Sequence, residues 1–140
     1  MVTGIDHIGI LVSDLDAALR FYAETLGLPA GPVQALDDPP IRRACIRVGD
    51  VELELIEAAD AERTMLRFLP HRHAGIYHVG FRVDDVDATA RELRGEKVPL
   101  IDEVREGDEM RIQFLHPDAA QGTLIELVQR KARRKLKAES

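Results

Sequence analysis

The 140-residue sequence has one cysteine, no tryptophan, two tyrosines and four phenylalanines. A lone Cys45 excludes an intramolecular disulfide framework and a zinc site built from several thiolates. So few aromatic residues argue against a platform that stacks nucleic-acid bases. No apolar run reaches the roughly 18 residues that a membrane-spanning helix needs. Met1 to Asp6 holds neither a basic cluster nor a long apolar stretch, so no export signal is expected and the expected compartment is the cytosol.

Charge is abundant but unevenly placed. The chain has 19 basic and 25 acidic residues, a formal net charge of −6. Residues 130–140 hold six of the basic residues and one acid. The preceding body is therefore more acidic than the net charge suggests, which argues against a nucleic-acid-binding face. The basic end reads as a solvated tail. The 45% hydrophobic content is that of an ordinary folded domain.

The sequence contains itself twice. Ile5-Asp6-His7-Ile8-Gly9-Ile10 lies over Ile76-Tyr77-His78-Val79-Gly80-Phe81, and Asp14 and Asp16 lie over Asp85 and Asp87. Later in each half, Leu53-Glu54-Leu55-Ile56 lies over Ile125-Glu126-Leu127-Val128. The repeats span about 4–58 and 75–129, joined by a linker over 59–74 in which Met65, Leu66, Phe68 and Leu69 predict one short helix.

Both repeats show one order of elements. Residues 5–12 and 76–83 are rich in β-branched residues and read as strands. Each is followed by a helix. Leu15, Ala18, Leu19, Tyr22 and Leu26 form one apolar stripe, and Val86, Ala90 and Leu93 form the other. Ser13-x-x-Asp16 and Asp84-x-x-Asp87 are expected to cap these helices, with Gly27 and Gly95 ending them. Three strands follow in each half, near 32–36, 41–48 and 51–57, and near 97–103, 110–115 and 123–129. Gly49-Asp50 reads as a hairpin turn. The expected fold is α+β: two tandem βαβββ modules forming one cupped mixed sheet.

Four polar residues occupy equivalent places in the repeat: His7, Glu54, His78 and Glu126. Alternation sets Glu52, Glu54 and Ile56 on one face of their strand and Leu53, Leu55 and Glu57 on the other. Glu126 sits in an almost wholly apolar strand, where an unpaired carboxylate would cost several kcal/mol, of order 5. A cation is the natural partner. Two imidazoles and two carboxylates suit a borderline divalent ion such as Zn²⁺, Co²⁺, Ni²⁺, Mn²⁺ or Fe²⁺.

These residues carry a resemblance. His7 in Ile-Asp-His-Ile-Gly-Ile, Asp14-Leu15-Asp16-Ala17-Ala18, Phe21-Tyr22, Leu26-Gly27, Glu54 in Glu-Leu-Ile-Glu, Gly75-Ile76-Tyr77-His78-Val79-Gly80-Phe81, Phe114-Leu115-His116-Pro117 and Leu124-Ile125-Glu126-Leu127 resemble the vicinal oxygen chelate superfamily. Within it they are most similar to the epimerases of methylmalonyl-CoA. The resemblance implies a divalent metal held in the cup by His7, Glu54, His78 and Glu126, with two positions open to substrate oxygens. It implies an acyl-CoA substrate epimerised at C2, with Glu126 moving the proton. Some epimerases carry a second carboxylate where this chain has Arg43. A glyoxalase-type lyase is the alternative activity. An extradiol dioxygenase and a small-molecule-binding resistance protein rank below it. A homodimer is expected, because sheet edges and apolar helix faces remain to be covered.

The remaining candidates read as ordinary structure. Arg42, Arg43 and Arg111 are expected on the solvated surface, with an anion-binding role as the alternative. His71 and His73 fall in the polar linker, and His116 before Pro117 is expected in a turn at the mouth of the cup. Cys45 is expected to be an inert buried thiol.

Overall fold

The computed structural model describes residues 1–60, 63–69 and 74–131. Its strands are β1 (Val2–Leu11), β2 (Gln34–Asp37), β3 (Pro40–Val48), β4 (Val51–Ala58), β5 (Gly75–Val83), β6 (Leu100–Glu106), β7 (Met110–Leu115) and β8 (Leu124–Arg130). They form one eight-stranded sheet in the order β2-β3-β4-β1-β5-β8-β7-β6. The order is symmetric about its centre. β1 runs parallel to β4, β5 runs parallel to β8, and the two halves meet where β1 and β5 pair antiparallel. This is the expected α+β fold with a mixed sheet.

The helices cover one face of the sheet. Helix α1 (Leu15–Leu19) continues as a π-helical segment over Arg20–Thr25, and α2 spans Val86–Gly95. Behind the first half, Leu15, Ala44, Ile46 and Leu55 form a fully buried cluster that Ala18, Leu19 and Tyr22 extend. Behind the second, Val83, Val86, Leu115 and Leu127 form its counterpart. The stripes read from the sequence therefore face the core, except that Leu26, beyond the π-helical segment, is 53% exposed.

The helix ends differ from expectation by a residue or two. The N-caps are Asp14 and Asp85, not Ser13 and Asp84. Each Oδ1 accepts from the backbone N–H three residues on, Ala17 or Ala88, at 3.0 Å. The reason is the burial of Leu15 and Val86, both 0% exposed at the first helical position. Their N–H groups are satisfied from the sheet. Leu15 donates to Glu57 Oε2 at 2.8 Å and Val86 donates to Gln129 Oε1 at 2.9 Å. Gly27 does end the first helical segment, with φ +73°. Gly95 is instead the last residue of α2, and Lys97 takes the left-handed turn with φ 63°. Strand β6 starts at Leu100 because Pro99 offers no N–H to a ladder.

In the linker, Thr64 caps a 3₁₀ turn over Met65–Phe68, the short helix the apolar residues predicted. His71 and His73 lie outside the described residues, as does the tail beyond Lys131. The first residue assigned to that tail, Arg130, belongs to β8. No described helix is long and apolar enough to cross a membrane.

Candidate metal centre

The face opposite the helices is concave. It encloses a cavity of ≈ 670 Å³, lined among others by His7, Arg43, Glu54, Tyr77, His78, Ile112, Phe114 and Glu126. All four sequence-nominated residues thus reach one space. His7 comes from β1, Glu54 from β4, His78 from β5 and Glu126 from β8, the four central strands of the sheet.

The seam between β1 and β5 brings the two histidines together. His7 is registered with Gly80 and His78 with Gly9. Each imidazole lies over the glycine of the opposing strand, and a methyl group built on either glycine would overlap the ring. The His-x-Gly sequence in both repeats is therefore a reciprocal packing device. Each glycine is small so that the other strand's imidazole can reach the centre.

The histidine Nε2 atoms stand 2.9 Å apart. Glu126 Oε2 is 3.4 Å from both of them, and Glu54 Oε1 is 3.8 Å from His78 Nε2. Donors about 2.1 Å from one ion stand about 3.0 Å apart at right angles and about 3.4 Å apart in a tetrahedron. His7, Glu54 and His78 form a compact three-residue cluster able to hold a metal ion. Glu126 offers its oxygen to both imidazoles from the other side. The two nitrogen donors and the Glu54 oxygen suit a divalent ion.

Two bulges arm the centre unequally. On β1 the ladder skips Asp6, and on β5 it skips Tyr77, the equivalent residue of the second repeat. A bulge re-aims the side chain it frees. Asp6 turns under His7, and His7 Nδ1 donates to Asp6 Oδ2 at 2.8 Å. Asp6 is 2% exposed and also accepts from Arg82 at 3.1 Å and from Arg130 at 2.9 and 2.7 Å. Tyr77 instead packs edge-on against the His78 ring, with centroids 4.6 Å apart. His78 Nδ1 is buried with no hydrogen-bond partner.

The electrostatics follow this geometry. Burial opposes a charge on His7, but Asp6, Glu126 and Glu54 overcome it and push its pKa up to about 10. Burial, reinforced by the charge on His7, pushes His78 down to about 4. Burial also works against ionising Glu126, yet the two imidazoles hold its carboxyl below the usual range. Burial and the charge of Glu126 raise Glu54. Asp6 is held well below the usual carboxylate range, since His7, Arg130 and Arg82 outweigh its burial. The cluster without metal is thus a positive imidazolium among carboxylates, a charge pattern that a bound cation would replace.

Arg43 departs from its expected place on the solvated surface. The β3 residues Ala44 and Ile46 turn inward to α1, so alternation turns Arg43 and Cys45 to the cup. Arg43 Nη1 donates to Glu54 Oε2 at 3.1 Å, and Nε donates to Gln34 at 3.0 Å. Arg42 and Arg111 do lie away from the cup. Arg42 pairs with Asp16 and Glu57, and Arg111 with Asp87 and Glu106. Cys45 is half-buried, and burial with nearby Glu54 and Glu52 pushes its thiol up to about 11, an unreactive state. His116 caps the short turn after β7, its Nδ1 accepting from Asp118 N–H at 3.1 Å.

A model of the glyoxalase/bleomycin resistance protein/dioxygenase superfamily matches residues 6–115, which include the seam, both helices and most of the cup. The chain belongs to that superfamily. Several of its relatives there are epimerases. An ethylmalonyl-CoA/methylmalonyl-CoA epimerase from Cereibacter sphaeroides is 31% identical over 92% of this chain and 99% of that one. The crystal structure of methylmalonyl-CoA epimerase from Mycobacterium tuberculosis is 39% identical, with a TM-score of 0.82 over 94% of this chain and 90% of that one. A Streptomyces coelicolor methylmalonyl-CoA epimerase variant in complex with 2-nitronate-propionyl-CoA is 34% identical, with a TM-score of 0.82 over 94% and 100% of the two chains. The superfamily fold therefore accompanies an isomerase chemistry in these neighbours.

The sequence reading missed Asp6, Tyr77 and Arg130 as parts of the centre. The signal for Asp6 was its adjacency to His7 in an otherwise apolar strand. Strict alternation would send it to the opposite face, and only the bulge reverses that.

Proposed function

We propose that the chain is a metal-dependent epimerase of methylmalonyl-CoA or a similar 2-substituted acyl-CoA. The observation that carries this reading is the cluster of His7, Glu54 and His78, with Glu126 Oε2 3.4 Å from both imidazoles, in a cavity large enough for an acyl thioester. The epimerase relatives support it.

His7, Glu54, His78 and Glu126 would hold the ion. A bound divalent cation supplies Lewis-acid stabilisation of negative charge that develops on substrate oxygens. The chain's own residues do the rest. Glu126, 5% exposed and held ionised between the imidazoles, accepts the C2 proton at its carboxylate. Return of a proton to the opposite face of C2 completes the inversion. Asp6 keeps a proton on His7 Nδ1, so that Nε2 presents its lone pair inward. Phe114, 9% exposed, lines the cup and excludes water from that wall.

The test is C2 proton exchange. Protein loaded with Co²⁺ is mixed with methylmalonyl-CoA in D₂O, and NMR follows the C2 proton. Rapid loss that EDTA abolishes supports the reading. No exchange in fully loaded protein rejects it and favours the glyoxalase-type lyase. A cytosolic homodimer completes the proposal. The open edges of β2 and β6 and the exposed Ile76 and Val2 support the dimer, which sedimentation would measure.

A further inference from the structure

The two walls of the cup differ in polarity at equivalent positions. On the first half, β3 and β4 present Arg43, Cys45, Glu52 and Glu54 to the cavity. On the second half, β7 and β8 present Ile112, Phe114 and Glu126 in the corresponding registers, with Leu124 wholly buried where the first half has Glu52. Only the two glutamates match. At these positions beside the two glutamates a ligand therefore meets the Arg43 guanidinium on one side and the Ile112 and Phe114 side chains on the other, although Ile41 and Ile56 also line the first half and Arg130 the second.

Arg43 is the cation placed at the metal-holding residues. Arg63, Arg67, Arg105 and Arg130 also line the cavity, but Arg43 is the one that pairs with Glu54. Arg130 is committed to Asp6 and Glu52. Arg67 donates to Thr64 O and lies over Phe68, and Arg105 pairs with Asp102 and lies over the Phe114 ring at 5.6 Å. Arg43 touches Glu54 directly, and its side chain remains 30% exposed. A guanidinium carries five N–H donors in a planar fork. The contacts to Glu54 and Gln34 use two of them. The rest of the fork is available to a second carboxylate beside Glu54, and a planar carboxylate is the group it fits best.

We propose that Arg43 is a specificity-determining residue that recognises the free carboxylate of the substrate. It thereby selects 2-carboxyacyl thioesters over uncarboxylated ones and turns the substrate's alkyl branch toward Ile112 and Phe114. This rests on the acyl-CoA reading above and adds the substrate's orientation to it. Because Arg43 also holds one oxygen of Glu54, it leaves the other oxygen facing His78.

Binding to Co²⁺-loaded protein tests the assignment. Calorimetry compares methylmalonyl-CoA with propionyl-CoA, the same thioester without the carboxylate, in the native chain, Arg43→Gln and Arg43→Lys. The native chain should prefer the carboxylated ligand. Arg43→Gln should reduce that preference by about tenfold or more, the effect of one lost charge-assisted contact, with propionyl-CoA affinity unchanged. Arg43→Lys should recover part of it. An unchanged preference, or a parallel loss for both ligands, overturns the proposal. So does loss of the Co²⁺ spectrum in Arg43→Gln, which would make Arg43 a support for Glu54 only. If the native chain exchanges the C2 proton while Arg43→Gln keeps its preference, the Arg43 assignment falls and the epimerase reading stands. If the native chain binds neither thioester, both fall.

Discussion

The two halves of the molecule share a scaffold but support their histidines in opposite ways. His7 rests on a buried aspartate that two arginines hold, whereas His78 rests on a tyrosine ring and leaves Nδ1 unbonded. The backbone is the same on both sides. A bulge frees the preceding residue, and a glycine across the seam admits the ring. The repeat therefore conserves where the donor atoms go, while chemistry diverges in the residues behind and beside them. The arrangement predicts one strongly oriented imidazole and one held chiefly by packing.

The largest expected effect treats both halves alike. His7→Ala and His78→Ala should each lower Co²⁺ affinity by at least about 100-fold, read from the visible absorption of the bound ion. A variant that retains native affinity would remove its histidine from the centre. The next contrast separates the halves. Asp6→Asn should weaken metal binding about 10- to 100-fold, whereas Tyr77→Phe should leave it within about twofold, since the ring contact survives. Equal losses would mean that the bulge residues act only through folding.

Asp6→Asn should also cost about 3 kcal/mol in chemical denaturation, because Arg82 and Arg130 lose a buried partner. The pH dependence has a definite sign. The folded carboxyl titrates well below its unfolded value of about 3.9, so the unfolded chain binds more protons between the two values. The stabilisation is complete above the unfolded value and disappears as pH falls toward the folded one. Native protein should lose stability on acidification below about pH 4 more steeply than Asp6→Asn. Parallel curves would remove Asp6 from the acid response.

Smaller effects test the symmetry again. Gly9→Ala and Gly80→Ala should each lower stability by about 1–3 kcal/mol through overpacking, and each should impair metal binding by displacing the opposite histidine. Asp14→Ala and Asp85→Ala should cost about 1 kcal/mol apiece and leave metal affinity unchanged. A cap variant that alters the Co²⁺ spectrum would show that the helices set the geometry of the cup.

Much of this was legible in the sequence. The strands and helices follow from local periodicity, and His7, Glu54, His78 and Glu126 stood out because the repeat aligned them. What escaped was set by tertiary context. Asp6 is misplaced by a period-2 reading because a bulge depends on how β1 pairs with β5. The caps at Asp14 and Asp85 were missed by one residue because Leu15 and Val86 are seated by the sheet beneath them. Arg43 was legible in principle. Ala44 and Ile46 mark the buried side of β3, so its alternate residues had to face the cup.

The centre draws on residues far apart in the order of synthesis. His7 lies on the earliest strand and Glu126 on the latest, and Arg130 ties the last strand to Asp6 on the first. A nascent chain that has finished only its first half would present His7 and Glu54 alone, beside an open edge of β1 where β5 has yet to pair. The proposed four-residue set is complete only once β8 has paired with β5, so its capacity to capture an ion would report that both repeats have folded.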